Sequence, residues 1–456
     1  MKSKLFLLFW LVLPPACFNA QITFQKTFGD STNQAGYAVK QCFDGGYIIT
    51  GLNTDLTEPM ISEVLIIKTN SFGDTIWTKI IGGPGMIGFD VIQTADSAFV
   101  VSGYTYPSSP RVLLIKLDIH GNTLWQKISC QGWGQAVQQT LDGGYITAGD
   151  VLQKFDSAGS FLWCRDIPFQ ALYIIQTADS NFVMSGFSYS YFDSVYLEKT
   201  DKDGTTIWRK SFPGAFTNTS NNILAETNDG GYILARNSNH LTPSGLLKTD
   251  VNGNSIWTRT WPGYRSTSVI QTSDGGFAIG GYSVHDTNSM ILVKTDIEGN
   301  ISWDQKYFSS DYDPGFLCLL DNCVGAKSIR QTEDKGFILT GYITQLSSGD
   351  LDLAMIKTDS FGNVLSTGLA VVSQKNKVIV YPNPFSISTT IQFDYFLDDV
   401  ELILCNLQGK IVKRMFQISA EKFEIERAGL PCGIYFAFIK NNNRLLATEK
   451  IVILDP

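Results

Sequence analysis

One sentence of this chain is written seven times. In its sixth copy it opens with Gln271-Thr272-Ser273-Asp274-Gly275-Gly276-Phe277, continues through Lys294-Thr295-Asp296 to Gly299-Asn300, and ends at Trp303. The other openings lie at Gln41, Gln93, Gln139, Gln176, Glu226 and Gln331. Self-similarity of this kind implies stacked supersecondary units, none of which buries its apolar face without its neighbours.

Each unit reads as four short strands. In the sixth copy they are expected over 267–272, 277–282, 290–295 and 301–306, rich in β-branched and aromatic residues and bounded by Gly, Asp and Asn. Asp-Gly-Gly between the first two strands is a tight-turn signal, because glycine reaches positive φ without a Cβ clash. Asp-x-x-Gly-Asn between the last two suits a type I turn closed by a left-handed glycine.

The spacing is more informative than the composition. Lysine and tryptophan are always nine residues apart: Lys68–Trp77, Lys116–Trp125, Lys154–Trp163, Lys199–Trp208, Lys248–Trp257 and Lys294–Trp303, with Lys357–Ser366 in the seventh copy. The second-to-third connection varies, from five residues (Gly149 to Lys154) to seventeen (Gly51 to Lys68), and so does the link between units. In a four-stranded antiparallel unit all this variation falls at one end. Seven such units predict an all-β, seven-bladed β-propeller over 21–370. Phe24-Gln25-Lys26-Thr27-Phe28-Gly29 matches Trp77-Thr78-Lys79-Ile80-Ile81-Gly82, an orphan fourth strand at the start facing a defective one at Ser366. A ring sealed by that strand, rather than an open solenoid, leaves no exposed edge.

The tryptophans Trp77, Trp125, Trp163, Trp208, Trp257 and Trp303 are expected to pack between blades, where a large ring buries much area. The turn aspartates Asp44, Asp96, Asp142, Asp179, Asp229, Asp274 and Asp334 are expected to bond their own turn backbones. Asp201-Lys202-Asp203-Gly204 begins like a calcium loop, but no glutamate stands at the twelfth position. The Asp…Gly…Trp element resembles the Asp-box of sialidase-type propellers, with both intervals one residue longer, and the tryptophan-docking motif of quinoprotein propellers, without its Thr-Gly step. No nucleophile elbow, phosphate loop or zinc-binding histidine pair is present, and His120, His240 and His285 are scattered. No enzyme activity, metal or cofactor is therefore expected.

Compartment is legible at both ends. Lys2 and Lys4 precede an apolar run from Leu5 to Leu13, with Ala20 before Gln21, which reads as a signal peptide over 1–20. A lipoprotein reading would use Cys17, but Pro14 and Pro15 stand where a lipobox wants other residues. No later segment reaches the ~20 apolar residues of a membrane span. A net charge of −8 excludes a basic footprint for nucleic acid. Export permits disulfides, and local pairings Cys318–Cys323 and Cys405–Cys432 are candidates.

After a polar linker over 371–377, a different β pattern occupies 378–456 and suggests a small Ig-like β-sandwich. Tyr381-Pro382-Asn383-Pro384-Phe385, Asn406-Leu407-Gln408-Gly409-Lys410, Gly433-Ile434-Tyr435-Phe436 and Lys450-Ile451-Val452-Ile453-Leu454 together resemble the type A C-terminal sorting domain of the type IX secretion system in Bacteroidota. The resemblance implies outer-membrane passage by the type IX machinery, removal of the domain by a sortase-like peptidase, and attachment to or release from the cell surface. The repeats resemble propeller passengers of the same exported class. The expected function is a secreted or cell-surface binding or adhesion module for an unknown extracellular glycan, protein or matrix ligand. A structural surface-layer protein, or a propeller hydrolase or lyase, is the alternative. Candidate ligand-contacting residues are the loop-end aromatics Tyr104, Tyr106, Tyr189, Tyr191, Phe192, Tyr264, Tyr307 and Tyr312, which offer flat apolar area with a polar tip.

Overall fold

A computed structural model describes residues 21–29, 32–55, 61–83, 85–106, 109–187, 194–213, 223–236, 244–261, 263–283, 289–308, 324–344, 351–364, 379–406, 411–441 and 444–454. They divide into two compact units, Met1–Leu365 and Ser366–Pro456.

The first unit is a seven-bladed propeller of four-stranded antiparallel sheets. Blade one consists of Asn33–Gln41, Tyr47–Asp55, Ile61–Thr69 and Thr75–Ile81. Blade two consists of Ile87–Gln93, Phe99–Thr105, Arg111–Leu117 and Thr123–Gln131, and blade three of Gly134–Gln139, Tyr145–Gly149, Val151–Phe155 and Phe161–Asp166. Blades four, five and six repeat the pattern over 170–213, 224–260 and 264–307. The first strands of successive blades contact one another around the whole circuit, blade seven returning to blade one. They are the inner strands. The first three strands of each blade are largely buried, whereas the fourth alternates exposed and half-buried residues, as in Thr75–Ile81. That is the pattern of a sheet whose outermost strand faces water.

Ring closure uses the N-terminal strand. Phe24–Phe28 pairs antiparallel with Leu351–Thr358, Phe24 opposite Lys357 and Phe28 opposite Leu353, as the outer strand of blade seven. Phe24 then does what tryptophan does elsewhere. A Cβ added at Gly73 would lie 2.6 Å from the Phe24 ring, just as one at Gly121 would meet Trp77 at 3.0 Å and one at Gly159 would meet Trp125 at 2.9 Å. Each aromatic ring lies flat over the turn glycine of the next blade, at positive φ where only glycine fits both the conformation and the space. It also meets the next blade's buried aromatic edge-on: Phe24–Tyr47, Trp77–Phe99, Trp125–Tyr145, Trp257–Phe277 and Trp303–Phe337.

Glutamine is the second seam between blades. The Phe43 N–H donates to Gln93, Ala95 to Gln139, Leu141 to Gln176, Asn228 to Gln271 and Ser273 to Gln331; the circuit ends with the Glu333 N–H donating to Gln41. The same side chains donate back to their own turns, Gln271 to the Gly275 carbonyl at 2.9 Å.

The second unit is a five-stranded sheet of Ile379–Tyr381, Ser388–Asn406, Ile411–Glu426, Gly433–Asn441 and Arg444–Ile453. Ser388–Asn406 is broken in register between Gln392 and Leu402; both halves pair with Ile411–Glu426, while on the other edge the first half pairs with Ile379–Tyr381 and the second with Gly433–Asn441. Phe385, Ile391, Phe393, Leu402, Leu404, Tyr435, Ala437, Ile439 and Ile451 form its core. Among the described residues, no helix is long and apolar enough to cross a membrane.

Candidate functional site

Among the described residues, six inner strands carry an extra residue, inserted between 36 and 38, 88 and 90, 134 and 136, 171 and 173, 266 and 268, and 326 and 328. A bulge re-aims one side chain out of the alternation. In blades one and two that residue is aromatic, Tyr37 and Phe89, and their rings lie 5.6 Å apart. Phe89 stacks on Trp133 at 6.2 Å and 8°, and on Tyr104 at 5.6 Å. Tyr104 stacks on Trp133 at 4.7 Å. Trp133 belongs to the link entering blade three, and Tyr104 lies one residue before the end of the second strand of blade two, so the group lies where the variable loops leave the ring. All four rings are half-buried, and Tyr106, 53% exposed, follows two residues after Tyr104. Burial, then the nearby Tyr104, pushes the Tyr37 hydroxyl up to about 12; burial and Tyr106 raise Tyr104. The phenols stay neutral.

A second convergence lies in the inner strands. Asp90 is buried, with one oxygen accepting the Val91 N–H at 2.9 Å and the other the Val137 N–H of blade three at 3.2 Å. Burial raises its carboxyl, against the opposing pull of Lys40 and Arg330. Arg330 of blade seven donates to the Tyr173 hydroxyl of blade four at 3.2 Å and to the Ile329 carbonyl at 2.6 Å. The acid thus joins the inner strands of blades two and three, and the guanidinium reaches from blade seven to blade four.

The opposite end of the ring is a circle of ion pairs. Asp44–Lys68, Asp96–Lys116, Asp142–Lys154, Asp179–Lys199, Asp229–Lys248, Asp274–Lys294 and Asp334–Lys357 close at 2.7–2.9 Å. Each lysine side chain is at most 10% exposed. Asp142 also accepts the Gly144 N–H, and Lys154 donates to the Phe155 carbonyl. In the other turn, Asp201 accepts the Asp203 and Thr205 N–H groups, so the calcium-like stretch is a backbone cap. Among the described residues, no group of three or more His, Cys, Asp or Glu is placed to hold a metal ion.

The expected aromatic residues separate. Tyr104 and Tyr106 join the group just described. Tyr264 is half-buried in blade six and donates to Asp304 at 3.0 Å. Tyr307 is a correction: it is not a loop residue but ends the outer strand Ile301–Tyr307, 6% exposed, with its hydroxyl donating to the Gly362 carbonyl. Tyr189, Tyr191, Phe192 and Tyr312, like Cys318, Cys323 and Gly409, lie outside the described residues. The candidate Cys405–Cys432 disulfide is also corrected, by distance. Cys405 stands opposite Phe436. Four residues of extended chain, at roughly 3.3 Å each, put Cys432 beyond the ~7 Å Cα separation a disulfide spans.

Sequence reasoning missed Tyr37, Phe89 and Trp133. Their signal was present: Trp133 falls outside the repeat position, and Gly36-Tyr37 and Gly88-Phe89 recur at the same place in successive units. It also used the repeat lysine only as a ruler, although an aspartate and a lysine kept in all seven copies are natural partners.

In the second unit the motifs of the sorting resemblance meet. Asn383 donates to the Lys450 carbonyl at 2.6 Å and accepts the Val452 N–H at 2.8 Å. Phe385 is buried, and its backbone bonds Val452 and Leu454. The Tyr381 hydroxyl donates to Gln392 and the buried Tyr435 hydroxyl to the Pro431 carbonyl, while Gly433 opens the strand before Tyr435; the peptide bonds before Pro382 and Pro384 are cis.

Residues 379–454 match the family described as "Secretion system C-terminal sorting domain". No curated protein matches the sequence. Similar solved structures include a protein of unknown function from Dyadobacter fermentans, 11% identical over 74% of this chain and 97% of that one, with a TM-score of 0.46. BamB from Moraxella catarrhalis is 13% identical over 71% and 85%, with a TM-score of 0.42. A protein of unknown function from Bacteroides caccae is 14% identical over 60% and 94%, with a TM-score of 0.39. The chain thus carries a seven-bladed propeller and a type IX sorting domain, which indicates export to the cell surface or secretion through that machinery.

Proposed function

We propose that this exported propeller is a non-enzymatic binding module, whose ligand is a glycan or matrix protein seated at the loop end of blades one to three. The observation that carries the reading is the group Tyr37, Phe89, Tyr104 and Trp133, four aromatic rings that keep accessible surface beside the exposed Tyr106. Neutral phenols and an indole suit stacking on sugar rings or apolar side chains, with little side-chain entropy to lose. The charged groups of the inner strands argue against a hydrolase or lyase, because Asp90 and Arg330 are engaged by backbone and Tyr173. Removal of the sorting domain by a sortase-like peptidase belongs to the same reading.

The test is a glycan and matrix-protein array probed with wild type, Trp133→Ala, Tyr104→Ala and Tyr106→Ala. Loss of a wild-type signal in these variants, with melting temperature kept within a few degrees, supports the site. Retention of the signal in all three, with loss in the opposite-end variant Asp274→Ala, overturns it.

A further inference from the structure

Two cysteines that no repeat position explains meet across a blade boundary. Cys130 is on the outer strand of blade two and Cys164 on that of blade three. Outer strands expose every second residue, and the residue after the repeat tryptophan is exposed at Thr78, Gln126, Arg209, Thr258 and Asp304. Cys164 holds that position in blade three and alone is half-buried. Cys130 breaks the rhythm too. Leu124, Gln126 and Ile128 are exposed, so alternation would expose residue 130, but a register shift opposite Arg111 and Leu113 reverses the phase, and Ser129 and Cys130 are both half-buried. The bulge turns this end of the strand onto blade three. Ser129 hydrogen-bonds Gln153, which is the cross-strand partner of Cys164. Cys130, next to Ser129, is thereby brought to the Gln153–Cys164 pair, and burial, then the nearby Cys130 thiol, pushes the Cys164 thiol up.

We propose that Cys130 and Cys164 are joined as a disulfide in the exported protein, a covalent staple between blades two and three. The sorting domain takes the chain out of the reducing cytoplasm, and disulfides persist in such compartments. The oxidant is a protein disulfide of the export route. One cysteine thiolate attacks it and forms a mixed disulfide; the other displaces the carrier thiolate and forms the new S–S bond. The two cysteines give up two protons and two electrons, and the carrier leaves as a dithiol. The bond closes a loop of thirty-four residue steps, which restricts the unfolded chain. It also fixes the strand end three residues before Trp133, a consequence for ligand binding that rests on the proposed function, whereas the bond itself does not.

The experiment uses the protein as recovered from its host after export, blocked with N-ethylmaleimide at harvest and digested without reductant. Mass spectrometry is expected to find the Cys130 and Cys164 peptides linked, 2 Da below the sum of their thiol forms. Recovery of both cysteines mainly as maleimide adducts overturns the proposal. The second arm melts Cys318→Ser/Cys323→Ser protein with and without reductant, alone and with Cys130→Ser added. Reductant should lower the melting temperature by several degrees only where Cys130 is present. An equal response in both proteins overturns the staple even if a minor linked peptide is found.

Discussion

At the scale of single residues, the seven ion pairs are lopsided. The lysine is buried while the carboxylate faces solvent, so the pair acts mainly by neutralising a buried ammonium. Removing the acid leaves that ammonium behind. Asp142→Ala should therefore cost about 1–3 kcal/mol, less than the ~3–5 of a fully buried pair because Asp142 is solvent-facing. Adding Lys154→Met should recover part of it, and chemical denaturation of both variants checks this. Burial raises the Asp142 carboxyl, but Thr140, the Gly144 N–H and Lys154 outweigh it and hold it at about 2. A carboxyl lowered on folding contributes stability above its unfolded value, roughly 3.9, and loses it as pH falls through the folded one. Wild type should thus lose stability between about pH 4 and 2, and Asp142→Ala should show a shallower loss. Glu226 has the opposite sign. Partial desolvation, with Asp179 nearby and against Lys199, raises the carboxyl of this solvent-facing residue where six other copies carry an amide, a small effect screened by solvent. Its stabilising contribution is present below the unfolded value and is lost as pH rises through the folded one. Glu226→Gln should raise the melting temperature at neutral pH, with the gain shrinking as pH falls through the glutamate range.

At the scale of the element, Phe24–Phe28 supplies both an outer strand and the seventh aromatic staple. Phe24 is 9% exposed. Phe24→Ala should cost about 3 kcal/mol, within the range for buried phenylalanine truncations, and Phe24→Trp should be tolerated better because tryptophan fills the same place in six other blades. Protein beginning at Gly29 loses the whole strand, keeps blade one intact from Asn33, and exposes the edge of Leu351–Thr358. Light scattering should show aggregation on mild warming; a monomer as stable as wild type would show that closure does not depend on this strand.

At the scale of the whole molecule, two compact units with separate cores correspond to passenger and sorting domain. Intact-mass analysis of protein recovered from the host surface or medium should show a species lacking most of residues 378–456. Surface protein retaining Leu454 would argue against processing.

What the sequence by itself determined is whatever is local and repeated. Turn residues, strand alternation and the constant lysine–tryptophan interval specify one blade, and seven copies with an orphan strand specify a ring. The Tyr-Pro-Asn-Pro-Phe and Lys-Ile-Val-Ile-Leu motifs announced the second unit before their hydrogen bonds could be seen. Only the tertiary structure decided which side chains meet across blades. Bulges insert one residue and reverse the face on which all later ones fall, so period-two reasoning misplaces Tyr37, Phe89 and Cys130. Ring closure brings Arg330 to Tyr173 and Glu333 to Gln41, far apart in the chain. Tyr307 shows the same limit: a residue assigned to a loop continues its strand by one step, and that step carries its hydroxyl onto the next blade's turn.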